Sequence, residues 1–385
     1  MKQSYVALII GGVVLMGALF LTFRGIFPGA QIAAPGSLNS DVIRIGAALC
    51  LTGDCAEWGE GELKSIEMAV DEANASGGVG GKQIKLFIED MQGTPQGSVN
   101  AMQKLITVDH VEAIIGPTWG DSFQAGFTVN NAAQVVAVAP STALEALALN
   151  KQSTEYVFST WVPIKMEIQA LQAYMHRIGV QHVVILHDQD PFGLMIASTF
   201  HTLAKSQGIV IADEFEFPIG FDDFRTSIVK LKGMKIDGIV MAFQSAAFKA
   251  KFLKQAHELG LAPRLFSTED IQDVGLLREF GPALEGVVYV YPAASGDVDS
   301  FQNKFKSRYG VAPSGASAPN AYDAAQVVIA ALKKHEETGI DLRTALENVE
   351  IPGAFMKQIK FESHQLTGAE FHIKTIRNGQ FVVLQ

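Results

Sequence analysis

A regular alternation of short apolar strands with helix-length segments constrains the fold of this chain more than any other feature. One series starts at residue 42 and a second starts near residue 164, each with strand patterns separated by segments of helical periodicity. Strands that alternate with helices form parallel sheets covered by helices on both faces. Each series is of domain size, so the sequence predicts an α/β fold with two doubly wound, Rossmann-like lobes.

The last third of the chain departs from this alternation. Helical patterns follow one another and three strand patterns come after them, at residues 299–309, 320–337, 341–348, 357–361, 370–377 and 380–384. Asn378-Gly379, between the last two strands, is typical of a two-residue hairpin turn. We interpret this part as material that completes the two lobes without adding a third domain.

The composition bounds the class of protein. The chain has 385 residues, of which 48% are hydrophobic and 18% are charged, so it can bury two cores and is too apolar to be disordered. Its formal net charge is −10, and it has no run of Lys or Arg. An acidic chain without basic runs argues against nucleic acid as a partner.

The N-terminal segment predicts export. Residues 5–23 contain no charged residue and are flanked by Lys2 and Arg24. As a helix this stretch would reach roughly 28 Å, close to the hydrocarbon thickness of a bilayer. It predicts either an uncleaved membrane anchor or a signal peptide cleaved near Ala30 or Ala34. Residues 1–24 would form this segment and residues 25–40 a linker, and both alternatives export the rest of the chain.

Cys50 and Cys55 are the two cysteines of the chain. An even number of cysteines in an exported chain predicts a disulfide, which here would fix the shape of a very short loop. We expect no metal site at this loop, because the sequence nearby offers no histidine or further cysteine.

Residues 111–143 read as strand, loop, helix, strand and loop. The helix is predicted to open at residues 120–122 and to run through residue 134. Parallel neighbouring strands place both loops at the carboxyl edge of one sheet, where ligands bind in open α/β folds. Asp121 or Ser122 would then lie near a helix N-terminus, which favours an anion. The loops predict half of a small-molecule site; two ordinary βα loops with capping residues are the alternative.

Several short motifs, in a fixed order, resemble one known family. They are the LTG loop at residues 51–53, the GG and GK pairs after the first helix, the ED pair at 89–90, and the IGP and APS turns. Together they resemble the type I periplasmic binding proteins, in particular the branched-chain amino acid (Leu/Ile/Val) binding proteins of ABC importers. The resemblance covers residues 42–385 and implies two lobes joined by a three-crossing hinge, with the ligand in the cleft between them. Lobe one would comprise residues 41–161 and 292–361, and lobe two residues 164–289 and 364–385.

The resemblance implies ligand contacts in lobe one. Trp58 matches an aromatic residue that packs on the ligand side chain, although surface packing would also explain it. Ser122, with Trp119 nearby, matches the serine that binds the ligand carboxylate in amino-acid binders. The turn that contacts the ligand carboxylate and ammonium corresponds to Ser141, Thr142 and Ala143. Alanine stands where these binders often have threonine, so the ammonium contact would be weakened or supplied by one of the two hydroxyls.

The resemblance implies further contacts in lobe two. Phe192 matches an aromatic residue, commonly tyrosine, and therefore lacks one hydroxyl. Asp270, with Glu269 as the alternative, matches the acidic residue that pairs with the ligand ammonium; a solvated helix cap would also explain this pair. Gln244 follows a strand that ends at the same edge of the sheet. A zwitterion requires donors on one side, a carboxylate on the other and an apolar slot between them.

Catalytic motifs are lacking in the sequence, which has no G-x-S-x-G, H-E-x-x-H or Walker pattern. We therefore predict a solute receptor that is not an enzyme and needs no cofactor. It would act outside the cytoplasm, anchored to the membrane through its N-terminal segment or secreted, and deliver an amino acid, an amide or a related polar solute to ABC permease subunits. A membrane-anchored sensor domain that binds a similar solute and signals to a partner protein is the alternative.

Overall fold

The computed structural model describes residues 42–314 and 316–384. The predicted anchor or signal segment and the linker after it lie outside the described residues. Within the described ranges, no helix combines the length and the apolar character that crossing a membrane would take.

The elements alternate as the sequence predicts. The first series comprises β1 (Val42–Leu49), α1 (Ala56–Ala75), β2 (Gln83–Asp90), α2 (Pro95–Thr107), β3 (Ala113–Ile115), α3 (Phe127–Ala133), β4 (Val136–Ala139), α4 (Leu144–Leu149) and β5 (Val157–Ser159). The second comprises α5 (Ile164–Arg177), β6 (His182–Asp188), α6 (Pro191–Ala204), β7 (Val210–Phe217), α7 (Arg225–Lys232), β8 (Gly238–Ala242), α8 (Ala246–Glu258), β9 (Arg264–Ser267), α9 (Val274–Leu284) and β10 (Val288–Ala293). The remainder comprises α10 (Val298–Tyr309), α11 (Ala318–Thr338), α12 (Leu342–Glu347), β11 (Phe361–Glu362), β12 (Gln365–Leu366), β13 (Glu370–Arg377) and β14 (Gln380–Val383).

The strands form two seven-stranded sheets, one in each lobe. The sheet of lobe one has the order β11-β12-β5-β4-β3-β1-β2, and the sheet of lobe two has the order β14-β13-β10-β9-β8-β6-β7. Five consecutive strands in each sheet are parallel and share one order, in which the second strand lies outside the first. In such sheets the crevice for a ligand opens where the strand order reverses, here between β1 and β3 and between β6 and β8.

The final third of the chain completes both lobes. The apolar face of α11 enters the core of lobe one with Ala321, Ala324 and Val328, all fully buried. In lobe two, β13 and β14 add an antiparallel hairpin to β10, with Asn378 and Gly379 at positive φ in the turn. The hairpin expected from the Asn-Gly pair is therefore confirmed.

The lobe boundaries differ from the sequence prediction by a few residues. β10 extends through Ala293 within the sheet of lobe two, whereas the prediction gave residues from 292 onward to lobe one. β12 pairs with β5 in lobe one, so the last crossing follows Leu366, whereas the prediction gave residues 364–385 to lobe two. Both errors have the same cause: a two-residue strand and the end of a longer one carry too little pattern to locate a crossing.

One helical prediction is corrected, and two helices were not predicted. The helix expected to open at residues 120–122 begins only at Phe127, after a turn at residues 118–123 and a single 3₁₀ turn at Gln124–Gly126. Trp119, at a φ of +48°, cannot belong to a right-handed helix. The unpredicted helices are α4, which has only six residues, and α9, which contains Pro282, a residue that is unusual inside a helix.

Candidate ligand-binding site

The loop between β1 and α1 is held rigidly at the carboxyl edge of the sheet in lobe one. Cys50 and Cys55 are joined by a disulfide, and helix α1 begins at the next residue. The carboxylate of Asp90, at the end of β2, accepts hydrogen bonds from the Leu51 N–H at 3.0 Å and the Thr52 hydroxyl at 2.7 Å. The LTG loop and the ED pair of the sequence are therefore one structural unit.

Close backbone contact then fixes the position of Trp58. A Cβ atom on Gly59 would lie 1.8 Å from the Cys50 carbonyl oxygen, so only glycine allows α1 to approach the loop this closely. The Trp58 ring contacts Trp119 edge-on, with ring centroids 5.8 Å apart, and Trp161 at the same centroid distance. Trp161 lies in the crossing between β5 and α5. The three tryptophans of the chain thus form one cluster beside the cleft.

Glu62 connects the loops of lobe one, and the sequence analysis did not identify it. Its fully buried carboxylate accepts hydrogen bonds from the hydroxyls of Ser141 at 2.6 Å, Thr118 at 2.5 Å and Ser317 at 2.7 Å. Burial raises its pKa, and the three hydroxyl donors oppose that shift. A glutamate at a buried position of an amphipathic helix was the available indication, because such a residue requires buried partners.

The predicted hydroxyls of lobe one lie together, but they bind the protein itself. Ser141 Oγ donates to Glu62 and accepts the Trp119 N–H at 3.1 Å. Thr142 Oγ1 accepts the Gly120 N–H at 3.1 Å, and the neighbouring Ala143 is fully buried as the first flanking residue of α4. These contacts shape the turn that follows β4.

Ser122 forms a hydrogen bond across the cleft. Its hydroxyl donates to Asp190 Oδ1 of lobe two at 2.7 Å, and the same oxygen accepts the Phe192 N–H at 2.9 Å as the N-cap of α6. Ser122 therefore lies in a turn that meets the opposite lobe, and the anion site predicted at a helix N-terminus does not form here because α3 begins five residues later. The structure has its two lobes in direct contact at this point.

Asp188 lies next to this contact, at the end of β6. Its side chain extends over the first turn of α6, where a Cβ atom on Gly193 would be 2.4 Å from Asp188 Oδ1. Phe192 is buried in the same turn, with 4% of its surface exposed, and belongs to the core of lobe two. Burial, and then the charge of Asp190, raises the pKa of Asp188 to about 7.

Asp270 already has a cationic partner. The ammonium of the fully buried Lys249 contacts Asp270 Oδ1, and it also donates to Thr268 Oγ1 at 2.9 Å. Lys249 projects from α8, and its burial was not predicted from the sequence. Sequence resemblance alone could not show this ion pair, because it joins residues 21 positions apart.

Glu269 faces a second acid, Glu167 on the first turn of α5. Both carboxylate oxygens of Glu167 and Oε2 of Glu269 are buried without a hydrogen-bond partner among the described residues. Burial raises the pKa of both, and the two groups can share one proton because two buried like charges cannot both remain ionised at close range. In lobe one, burial raises the pKa of Asp121 well above its usual value, and Asp190 and then Glu269 add to that shift.

Several buried polar atoms at the cleft have no hydrogen-bond partner among the described residues. They include Asp188 Oδ1, Gln244 Oε1, Asp270 Oδ2, Glu269 Oε2, Trp119 Nε1 and both carboxylate oxygens of Glu167. Buried polar atoms in folded proteins nearly always have partners, and a bound molecule is one source of them. Within the described ranges, no group of histidine, cysteine or acidic residues has the arrangement of a metal site.

A cavity of about 510 Å³ lies between the lobes, next to these buried polar atoms. Trp58 and Asp270, from the predicted set, line it together with Trp161, Tyr291 and Lys374. The other predicted residues are buried and do not line the cavity. They are Trp119, Ser122, Ser141, Thr142, Ala143, Phe192, Gln244 and Glu269. Its volume is within the range of small-molecule pockets.

The fold and this cleft define a class: two doubly wound lobes with polar side chains converging between them, as in proteins that enclose a small solute. The sequence matches the periplasmic binding protein family over residues 42–379, and the chain belongs to that family. It is accordingly a solute-binding receptor that acts outside the cytoplasm.

Individual relatives agree with this membership. The "Leucine-, isoleucine-, valine-, threonine-, and alanine-binding protein" of Pseudomonas aeruginosa is 25% identical over 309 residues, which cover 78% of this chain and 80% of the relative. The branched-chain amino acid transporter substrate-binding protein of Streptococcus pneumoniae, solved with isoleucine, superposes with a TM-score of 0.78 at 23% identity, over 89% of this chain and 99% of the other. A solute-binding protein of R. palustris, solved with benzoate, superposes with a TM-score of 0.76 at 18% identity, over 89% and 95%. The fold is thus shared by binders of different solutes.

Proposed function

We propose that this receptor binds an amino acid or a close derivative in the cleft between its lobes and delivers it, chemically unchanged, to an ABC importer. The observation that carries the proposal is the family match over residues 42–379, taken with the polar groups that converge from both lobes. The names of the relatives support the amino-acid class. The tryptophan cluster supports an apolar wall on the side of lobe one, and the acids of lobe two support contact with an ammonium group.

The test is a binding screen of the purified full-length chain. Amino acids, their amides, short peptides and polyols are compared by thermal shift, because a solute that binds only the folded state raises the melting temperature. Calorimetry then measures the affinity of each compound that gives a shift. The mixture recovered after binding is analysed chemically, since a receptor returns its solute unaltered.

The expected result is a shift confined to compounds with an amino group. A shift with polyols or uncharged amides alone would contradict the amino-acid class while leaving the receptor role intact. Conversion of the bound solute would contradict the proposal that the chain is not an enzyme.

We also propose that residues 5–23 place the receptor at the outer face of the membrane. The support is the length of this uncharged stretch and the basic residues on either side of it. The mass of the mature protein and its distribution between membrane and soluble fractions test the proposal. A mature chain that starts after residue 30 and remains soluble would contradict the anchor and favour a cleaved signal peptide.

A further inference from the structure

We propose that the solute of this receptor carries a net positive charge: it is an amine or an amino acid with a second basic group. This inference rests on the proposed function and narrows its solute class. It follows from how the cleft distributes its hydrogen-bond donors and acceptors.

Three side-chain donors that could hold a ligand carboxylate are already committed to acceptors of the protein. The Ser122 hydroxyl donates to Asp190, and the Ser141 hydroxyl donates to Glu62. The Lys249 ammonium contacts Asp270 and Thr268. Each of these groups would have to leave an acceptor of the protein before it could bind a carboxylate.

The acceptors, in contrast, are available. Asp188 Oδ1, Asp270 Oδ2 and Gln244 Oε1 have no partner among the described residues, and their side chains belong to residues that are 4%, 6% and 9% exposed. The glutamine is independent of the acidic residues and offers its carbonyl oxygen at the end of the neighbouring strand. Trp119 Nε1 is an unpartnered donor, but it carries no charge.

The ionisable groups at the cleft likewise include more acids than bases. Six carboxyl groups influence one another's ionisation here: Asp121 from lobe one, and Glu167, Asp188, Asp190, Glu269 and Asp270 from lobe two. Lys249 offsets one of them. Lys374 also lines the cavity, and burial lowers its pKa, which weakens its positive charge. His187 does not contribute, because its Nε2 is turned to Glu214 at 2.8 Å.

A net cation fits this arrangement better than a neutral zwitterion. Buried carboxylates without partners cost free energy, and an ammonium or guanidinium group removes that cost by donating to them. A zwitterion would bring a carboxylate of its own into a region where the Ser122, Ser141 and Lys249 donors already have acceptors. The raised pKa values of Asp188 and Asp121 agree with a cleft that holds protons when no cation is bound.

The experiment compares solutes that differ in charge and are matched in shape. Leucine with leucinamide, phenylalanine with phenylalaninamide, and glutamine with lysine are titrated into the full-length chain by calorimetry at about pH 7. We expect the net cation of at least one pair to bind about tenfold or more tightly than its neutral partner. Asp188→Asn and Glu269→Gln should reduce this preference, because each removes a negative charge and changes shape little.

Matched controls are available in the same lobe. Asp222→Asn and Glu258→Gln change exposed acids that do not line the cavity and should keep the preference of the unmodified chain. If the neutral member of every pair that binds is equal or tighter, the inference is overturned and the proposed function stands. If no amino acid, amide or amine binds, both are overturned.

Discussion

Asp188 lies where β6 meets the first turn of α6, and we expect its carboxyl group to contribute to the pH dependence of folding stability. Its pKa is raised to about 7 by burial and by Asp190, from an ordinary value of 3.8, with Lys249 opposing the shift. Between these values the folded state keeps a proton that the unfolded state has released. Folding stability should therefore fall as pH rises from about 4 to about 7, by up to a few kcal/mol from this residue.

Urea unfolding of the ligand-free chain across this pH range tests the prediction. Asp188→Asn should reduce the slope by the share of this one residue, because asparagine does not titrate and other buried acids such as Asp323 keep their raised pKa values. Asp222→Asn at the surface should leave the slope unchanged. A profile of the same slope in both variants would show that other acids of the cleft determine the response.

For single residues, the sequence predicts the positions of turns but does not predict partners that are distant along the chain. The resemblance located the turns that carry Ser122 and Ser141 at the carboxyl edge, because turn motifs repeat within a family. It could not identify Glu62 or Lys249, because their partners are distant in the sequence and become neighbours only when the lobes fold. For the same reason, the Lys249 ion pair of Asp270 could not be predicted.

At the scale of elements, long periodic helices were predicted well and short irregular ones were not. Helix α11 extends only two residues before its predicted start and one residue beyond its predicted end. In the region predicted as helix from residue 120 onward, the Trp119 and Gly120 amides bond to the hydroxyls after β4. Those bonds to side-chain hydroxyls hold residues 119 and 120 in a turn, and the helix begins only at Phe127.

The disulfide in the loop between β1 and α1 is expected to contribute to the stability of the fold. Replacing both Cys50 and Cys55 with serine should lower the free energy of unfolding by about 2 kcal/mol, which is the loop-closure contribution of so short a loop. The hydrogen bonds that Asp90 accepts and the close approach of Gly59 remain, so the fold should persist. Urea unfolding measures the loss, and the unmodified chain under reducing conditions should match the variant. An equal stability of variant and oxidised chain would contradict a role for the disulfide in folding.

At the scale of the whole molecule, two sheets of the same strand order face each other across three crossings. The repeated strand order places the loops after β1, β3, β6 and β8 around one cleft, which is why the alternation in the sequence was sufficient to predict the architecture. The strand patterns could not show how far the lobes close. That depends on contacts between residues of different lobes, and the hydrogen bond from Ser122 to Asp190 is one of them.

The hydrogen bond between Ser122 and Asp190 predicts how closure of the two lobes contributes to the affinity for the solute. A hydrogen bond to a charged group contributes about 1.5 kcal/mol or more, so Ser122→Ala should weaken binding of the tightest solute from the screen by about tenfold. Asp190→Asn removes the charge and preserves a residue that can cap α6. If the two side chains act as one contact across the cleft, the double variant should bind no more weakly than the weaker single variant.

Calorimetry of the four proteins, as a double-mutant cycle, separates this contact from independent effects. Ser198→Ala, at an exposed position of α6, is the matched control and should bind like the unmodified chain. Additive losses in the double variant would mean that Ser122 and Asp190 each contact the solute separately. Unchanged affinity in Ser122→Ala would mean that the solute-bound lobes meet elsewhere, because a bond that stabilises the closed state must lower affinity when it is lost.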